Sequence, residues 1–364
     1  MKNVKLMAKL IGGFSIVALI TLIIGYAGWS SINSLDRNLR EISEVRMPSI
    51  KYLLIMSEQM ENMTKVQRTL LDPNLEMEAR DQQYKDFGEA QKRFKAAWNG
   101  YEPLPQTQDE ARLWKEFAAT WQEVKKGDKA FFALCEELDK TDILNPMALR
   151  AKIESFRGDH YKLMEKTLLM ILTGKTFSGG DNPASCPFGS WAPTFKTKNA
   201  ELLTALKGIL GYHEKFHEAV GKIRELVERG DTNGARALFE GEMAPAAKTV
   251  VANLEAMTSE TAKAENIFNQ MAHYAMVTAL EKHELSDKLL DDIIAANEGV
   301  VTQAETLARS DSRNAKLVAV FGMIGGFVAA LVLGIFLSIS ITRPIKKGTA
   351  FAGKMAEGDF RETI

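Results

Sequence analysis

Three of the chain's five histidines and one of its two cysteines fall into one ordered pattern. It reads Asp159-His160, then Cys186-Pro187-Phe188-Gly189-Ser190-Trp191, then His213-Glu214-Lys215-Phe216-His217. Imidazole nitrogen and thiolate sulfur are donors for Zn²⁺, and a closed structural site sets four of them in a tetrahedron. His213 and His217 stand one helical turn apart, so both rings leave one face of a helix and can reach one ion. The candidate ligands are therefore His160, Cys186, His213 and His217. Asp159 is either an acceptor behind an imidazole or a solvated helix charge. Each residue also has an ordinary structural use. A lone histidine serves as a hydrogen-bonded core residue and a lone cysteine as a small buried hydrophobe. Phe188 and Trp191 are core aromatics under either reading, and Gly189 is the residue a tight turn needs. The joint pattern carries the metal reading.

The string His213-Glu-Lys-Phe-His217 is also a literal His-Glu-x-x-His, the zinc-peptidase helix in which glutamate is the general base. A peptidase needs an open metal position for water. With His160 and Cys186 filling both remaining positions, Glu214 has no water to activate. Val220 also stands where the longer peptidase motif has its glycine. Glu214 then reads as a helix-surface charge, and no enzyme is expected. His273 and His283 lie away from the pattern and read as surface or packing residues.

The pattern sits inside a long polar stretch bounded by two apolar runs, Leu10 to Trp29 and Leu317 to Ile341. Each is long enough to cross a bilayer. The first resembles a signal peptide in its positive start (Lys2, Lys5, Lys9). Its apolar core exceeds the roughly 7–15 residues of such a signal, and Trp29 is bulky for a cleavage site. A retained helix is the reading, with Tyr26 and Trp29 at the outer interface. Arg343, Lys346 and Lys347 directly follow the second run, so both ends are expected in the cytoplasm. Residues 1–9 are then cytoplasmic, 10–29 and 317–341 are spans, and 30–316 face the periplasm of a bacterium. A net charge of -1 and a sequence pI of about 6.6 give no reason to expect nucleic acid. Two cysteines make no disulfide framework, and a Cys135–Cys186 bridge is the one pairing they allow.

The outer region reads as helical throughout. Ile32, Leu35, Leu39 and Ile42 continue an amphipathic stripe out of the first run. Pro48 is expected to kink that helix and Asp72-Pro73-Asn74 to stop it. A second helix is expected from about Glu76 to Trp98, ended by Asn99-Gly100. A third is expected from about Gln108 to Leu138, with Leu113, Phe117, Trp121 and Val124 on one stripe. The last begins near Ala246 and enters the second span. The predicted fold class is all-α: two transmembrane helices flank an extended periplasmic up-down bundle carrying an inserted, zinc-binding helical bundle.

This layout resembles the four-helix-bundle sensor domain of bacterial methyl-accepting chemotaxis receptors, with support from Met47-Pro48 and Tyr101-Glu102. The departure is an insert at about 142–257. Past the second span, Thr342-Arg343-Pro344-Ile345 and Met355-Ala-Glu-Gly358-Asp359-Phe360 resemble the first helix of a HAMP linker over 342–364. That resemblance puts Pro344 near a helix start, Gly358 at its end and Asp359 at the head of the connector, with Arg343, Pro344, Gly358 and Asp359 relaying the signal. An ordinary basic helix beside anionic lipid is the plainer alternative. The insert resembles the chemoreceptor zinc-binding family over about Ser155 to Met257. In that family three histidines and a cysteine bind zinc, here His160, His213, His217 and Cys186, and zinc-bound thiolate reacts with hypochlorous acid. Together these resemblances imply the input half of a homodimeric chemotaxis receptor in the inner membrane, sensing outside and acting on a cytoplasmic kinase and adaptor. A sensor histidine kinase shares the layout and is the alternative.

Overall fold

The computed structural model describes residues 5–358, so Lys2 and the expected connector residue Asp359 lie outside them. The described residues are helical, with no strand among them. In chain order they form α1 (Leu6–Arg40), α2 (Met47–Thr69), α3 (Met77–Tyr101), α4 (Gln108–Thr141), α5 (Pro146–Thr173), α6 (Pro187–Trp191), α7 (Ala200–Glu228), α8 (Thr232–Leu238), α9 (Ala244–His273) and α10 (Ala279–Ala356). Single wide π turns at Glu41–Arg46, Phe239–Met243 and Tyr274–Thr278 join α1 to α2, α8 to α9 and α9 to α10 without a break.

The chain divides into two compact units. The first comprises Met1–Leu53, Gly100–Glu110 and Ile293–Ile364. Both apolar runs lie in it, on helices long and apolar enough to cross a membrane. Glycines let these helices approach closely: a Cβ on Gly322 would press into Ile24, and one on Gly326 would touch Ile20. Polar pairs flank the contact, Lys9 Nζ to Ser340 Oγ at 3.0 Å and Ser34 Oγ to Asp311 Oδ2 at 2.6 Å.

A π turn marks the α1–α2 junction, and Pro48 follows it in the first turn of α2. Gly100 falls at the end of α3, beside its last residue Tyr101, and a Cβ there would run into the Tyr52 ring. Pro344 does not start a new helix: α10 runs through it, at the cost of the hydrogen bond that Ser340 would otherwise receive. The helix does stop where expected, at Ala356 just before Gly358.

The second unit comprises Leu54–Asn99 and Ala111–Asp292. One part of its core is aromatic. Phe94 stacks on Trp121 at 4.2 Å between ring centres, Trp98 meets Trp114 at 4.3 Å, and Phe117 is fully buried. Two buried polar pairs cross this unit: Gln67 Nε2 donates to Asp128 Oδ1 at 2.7 Å, and Arg80 Nε to Asp139 Oδ1 at 2.7 Å.

A second apolar core in the same unit packs Met170 and Ile171 of α5, Phe216, Val220 and Ile223 of α7, and Met243, Ala246 and Ala247. Caps set its helix starts. Asn145 accepts from the Ala148 amide with Pro146 in the first turn, and Asn199 accepts from the Leu202 amide at 2.9 Å. Gly174, at φ +68°, closes α5 with a left-handed turn.

Candidate metal centre

His160, Cys186 and His217 are each held by a different local device. His160 lies on the buried face of α5, and its Nδ1 is 2.7 Å from the Phe156 carbonyl one turn earlier. That carbonyl must accept, so Nδ1 carries the proton and Nε2 is left as the bare donor. Among the described residues this buried Nε2 has no hydrogen-bond partner. His213 and His217 lie on the buried face of α7, at 3% and 1% exposure. His217 Nδ1 is 2.6 Å from the Gly180 carbonyl, which likewise turns Nε2 inward.

Cys186 caps the short helix α6. Its Sγ accepts from the Gly189 amide at 3.3 Å. Gly189 must lack a side chain because a Cβ would overlap the Pro183 carbonyl oxygen. Phe188 is buried edge-on against the His213 ring at 4.9 Å between centres. Trp191 instead packs on Phe156 at 5.1 Å and on Phe195 at 4.5 Å.

These devices bring four donor atoms together from segments far apart in sequence. One nitrogen each of His160, His213 and His217 and Sγ of Cys186 all lie within 4.8 Å of one another. Cys186 Sγ is 3.1 Å from His213 Nε2, and His213 Nε2 is 3.1 Å from His217 Nε2. Tetrahedral zinc bond lengths imply donor–donor edges of roughly 3.3–3.7 Å. The donor set, its spacing and the orphaned His160 Nε2 therefore fit a four-coordinate Zn²⁺.

The electrostatics agree. Burial, then the neighbouring His217 and His160, push His213 down to about 3, and burial also lowers His160 and His217. These shifts favour the neutral ring, the form that ligates. Burial raises the Cys186 thiol, and a bound dication would reverse that by favouring the thiolate.

Among the described residues Asp159 makes no hydrogen bond to an imidazole, though its charge acts on His160. Its carboxylate lies 3.7 Å from Lys162 Nζ at the edge of a small cleft that opens on the centre. The cleft measures about 160 Å³ and is also lined by His160, Cys186 and His217. Glu214 is exposed and is not among the gathered groups. Cys135 and Cys186 are both free thiols, Cys135 fully buried. His273 is exposed, whereas His283 is buried with its Nδ1 3.5 Å from Thr64 Oγ1. Arg343, Pro344 and Gly358 belong to the other unit.

Sequence reasoning missed the Phe156 and Gly180 carbonyls, because main-chain acceptors leave no mark on residue type. Phe156 alone had a signal, standing four residues before His160 as the acceptor of an α-helical back-bond.

Residues 3–167 match a family described as the four helix bundle sensory module for signal transduction. The match covers less than half of the chain. No curated protein matches the chain, and no solved structure does. The matched module and the two long apolar helices support a membrane sensor of the chemotaxis-receptor type.

Proposed function

We propose that this chain is the sensory part of a transmembrane chemoreceptor. In this reading residues 30–316 face the periplasm of a bacterium, and one Zn²⁺ is held there by His160, Cys186, His213 and His217. The observation that carries the metal part is the convergence of four donor atoms within 4.8 Å. The sensory-module match and the paired apolar helices support the receptor part.

The receptor acts as a homodimer. Support comes from the stripe on α1, where Ile32, Leu35 and Leu39 are 68%, 41% and 61% exposed. Such a stripe is the kind that a second copy covers. A stimulus acts through differential affinity for two packings of the helices, and the 342–364 segment passes the bias, in the manner of a HAMP linker, to a kinase and adaptor.

Metal analysis of the full chain in detergent micelles tests this. One zinc per chain is expected, with most of it lost in His213→Ala, since losing one of four ligands opens the site. Stoichiometric zinc in the double variant His213→Ala/His217→Ala would remove the assignment.

A further inference from the structure

The two imidazoles with a fixed outer nitrogen are fixed in different ways. His160 leans on a carbonyl of its own helix, whereas His217 leans on Gly180, in the loop between α5 and α6. A helix carbonyl is held by its helix; a loop carbonyl needs something else. Gly179 and Gly180 have φ of +83° and +84°, two successive left-handed residues that form no regular structure.

Arg224 supplies the restraint. It lies on α7 two turns after His217, on the same side of the helix. Its Nη2 donates to the Gly179 carbonyl, and its Nη1 is 3.4 Å from Asp181 Oδ2. The guanidinium also lies over the Phe177 ring, 5.7 Å from its centre. These contacts bracket Gly180 on both sides. The Arg224 side chain is 19% exposed and Asp181 is 45% exposed, so the ion pair adds little to folding stability. Its geometric effect is specific.

We propose that Arg224 is a positioning residue for the metal centre. It fixes Gly179 and Asp181 so that the Gly180 carbonyl holds His217 Nδ1–H and leaves Nε2 facing His213 and Cys186. The proposal rests on the zinc reading above. Lysine at 224 would keep one donor but could not engage the carbonyl and the carboxylate together.

The test uses the full chain in micelles, with Zn²⁺ affinity from chelator competition and the visible spectrum of the Co²⁺-loaded protein. Arg224→Ala is expected to weaken Zn²⁺ binding by about 10–100-fold, the usual cost of losing an outer partner of a ligating histidine. At saturating Co²⁺ its ligand-field bands should shift, because His217 no longer meets the ion in the same orientation. Arg224→Lys should recover part of the affinity, and the metal-free melting temperature should stay near the wild-type value.

Unchanged affinity and spectrum in Arg224→Ala would overturn the proposal. So would an affinity loss with an unchanged Co²⁺ spectrum and an equal loss of metal-free stability, the signature of a plain loop fastener. If Arg224→Ala does not fold, Arg224→Lys and Asp181→Asn carry the same expectations with smaller shifts, and wild-type behaviour in both overturns it. Wild-type chain that binds no Zn²⁺ would refute the zinc reading instead, and the two failures are distinct.

Discussion

Arg46 and Glu110 form a buried ion pair, with Arg46 Nη1 2.6 Å from Glu110 Oε2 and their side chains 5% and 0% exposed. The same Glu110 oxygen accepts from the Thr107 amide at 2.7 Å, while Thr107 Oγ1 accepts from the Glu110 amide at 3.2 Å. That reciprocal pair is a capping box at the start of α4. Glu41 Oε1 at 2.7 Å and Asn297 of α10 at 3.2 Å are further acceptors for Arg46. One carboxylate thus starts a helix and neutralises a buried charge.

Glu110→Ala should therefore cost about 2–4 kcal/mol, because it leaves the buried Arg46 with only the part-exposed Glu41 as a charge partner and opens the cap. The double variant Arg46→Met/Glu110→Leu should cost less than Glu110→Ala alone, since no buried charge is left and the freed Glu41 is 40% exposed. Thermal unfolding of the full chain in micelles checks the order of the two. A double variant worse than the single one would mean that the pair is net stabilising.

The same residues show what a sequence discloses. Thr107-Gln-Asp-Glu110 announces a helix start by spacing alone, and the α4 boundary was legible. Arg46 precedes Glu110 by 64 positions, and nothing in periodicity links them. The centre divides likewise. His213 and His217 declare a shared face through their spacing, and Cys-Pro-Phe-Gly-Ser-Trp declares a turn. The carbonyl of Gly180 and its restraint by Arg224 follow only from how a loop lies on α7. Pro344 misled because proline usually marks a helix boundary, yet α10 is long and continuous and runs through it.

Gly189→Ala should disable the centre without removing a ligand. The added Cβ would overlap the Pro183 carbonyl oxygen and come within 3.1 Å of the His213 ring. Backbone does not yield cheaply, so α6 must shift and carry Cys186 with it. Zinc affinity should fall about tenfold or more. Chelator competition measures this, and wild-type affinity would show that the loop adapts.

Glu214→Gln should leave zinc content unchanged, as Glu214 is exposed while His213 and His217 are buried. No peptidase activity is expected from either protein. Zinc-dependent cleavage of an unstructured peptide, lost in this variant, would make the His-Glu-x-x-His string catalytic.

Asp128 should make one part of the second unit respond to acid. Burial raises its carboxyl to about 6, and the hydrogen bond from Gln67 offsets only part of that. The charged form is the costly one, so the penalty is full above about pH 6, shrinks as pH falls through that value, and vanishes below the ordinary 3.8. Asp128→Asn keeps an acceptor for Gln67. It should stabilise the chain by about 1–3 kcal/mol at pH 7.5 and by several-fold less at pH 4. Melting curves of both proteins across that range decide, and a gain that does not vary with pH would assign the effect to packing.

Cys186 is the candidate responsive atom. A zinc-bound thiolate stays deprotonated at neutral pH and so remains nucleophilic. Hypochlorous acid would transfer oxygen to that sulfur, giving sulfenic acid and chloride, and a sulfenic acid is a poorer ligand. The cleft of about 160 Å³ beside Cys186 admits a molecule of that size. Loss of the Zn–S bond would free the α6 turn, where Phe188 packs on His213 and Trp191 on Phe156, so both ligand helices would feel it. Hypochlorite should release zinc faster from the wild-type chain than from Cys186→His, which keeps a donor without a thiolate. A metal-sensitive dye follows the release directly. Equal rates from the two would make the zinc a structural fastener and move sensing elsewhere in the outer region.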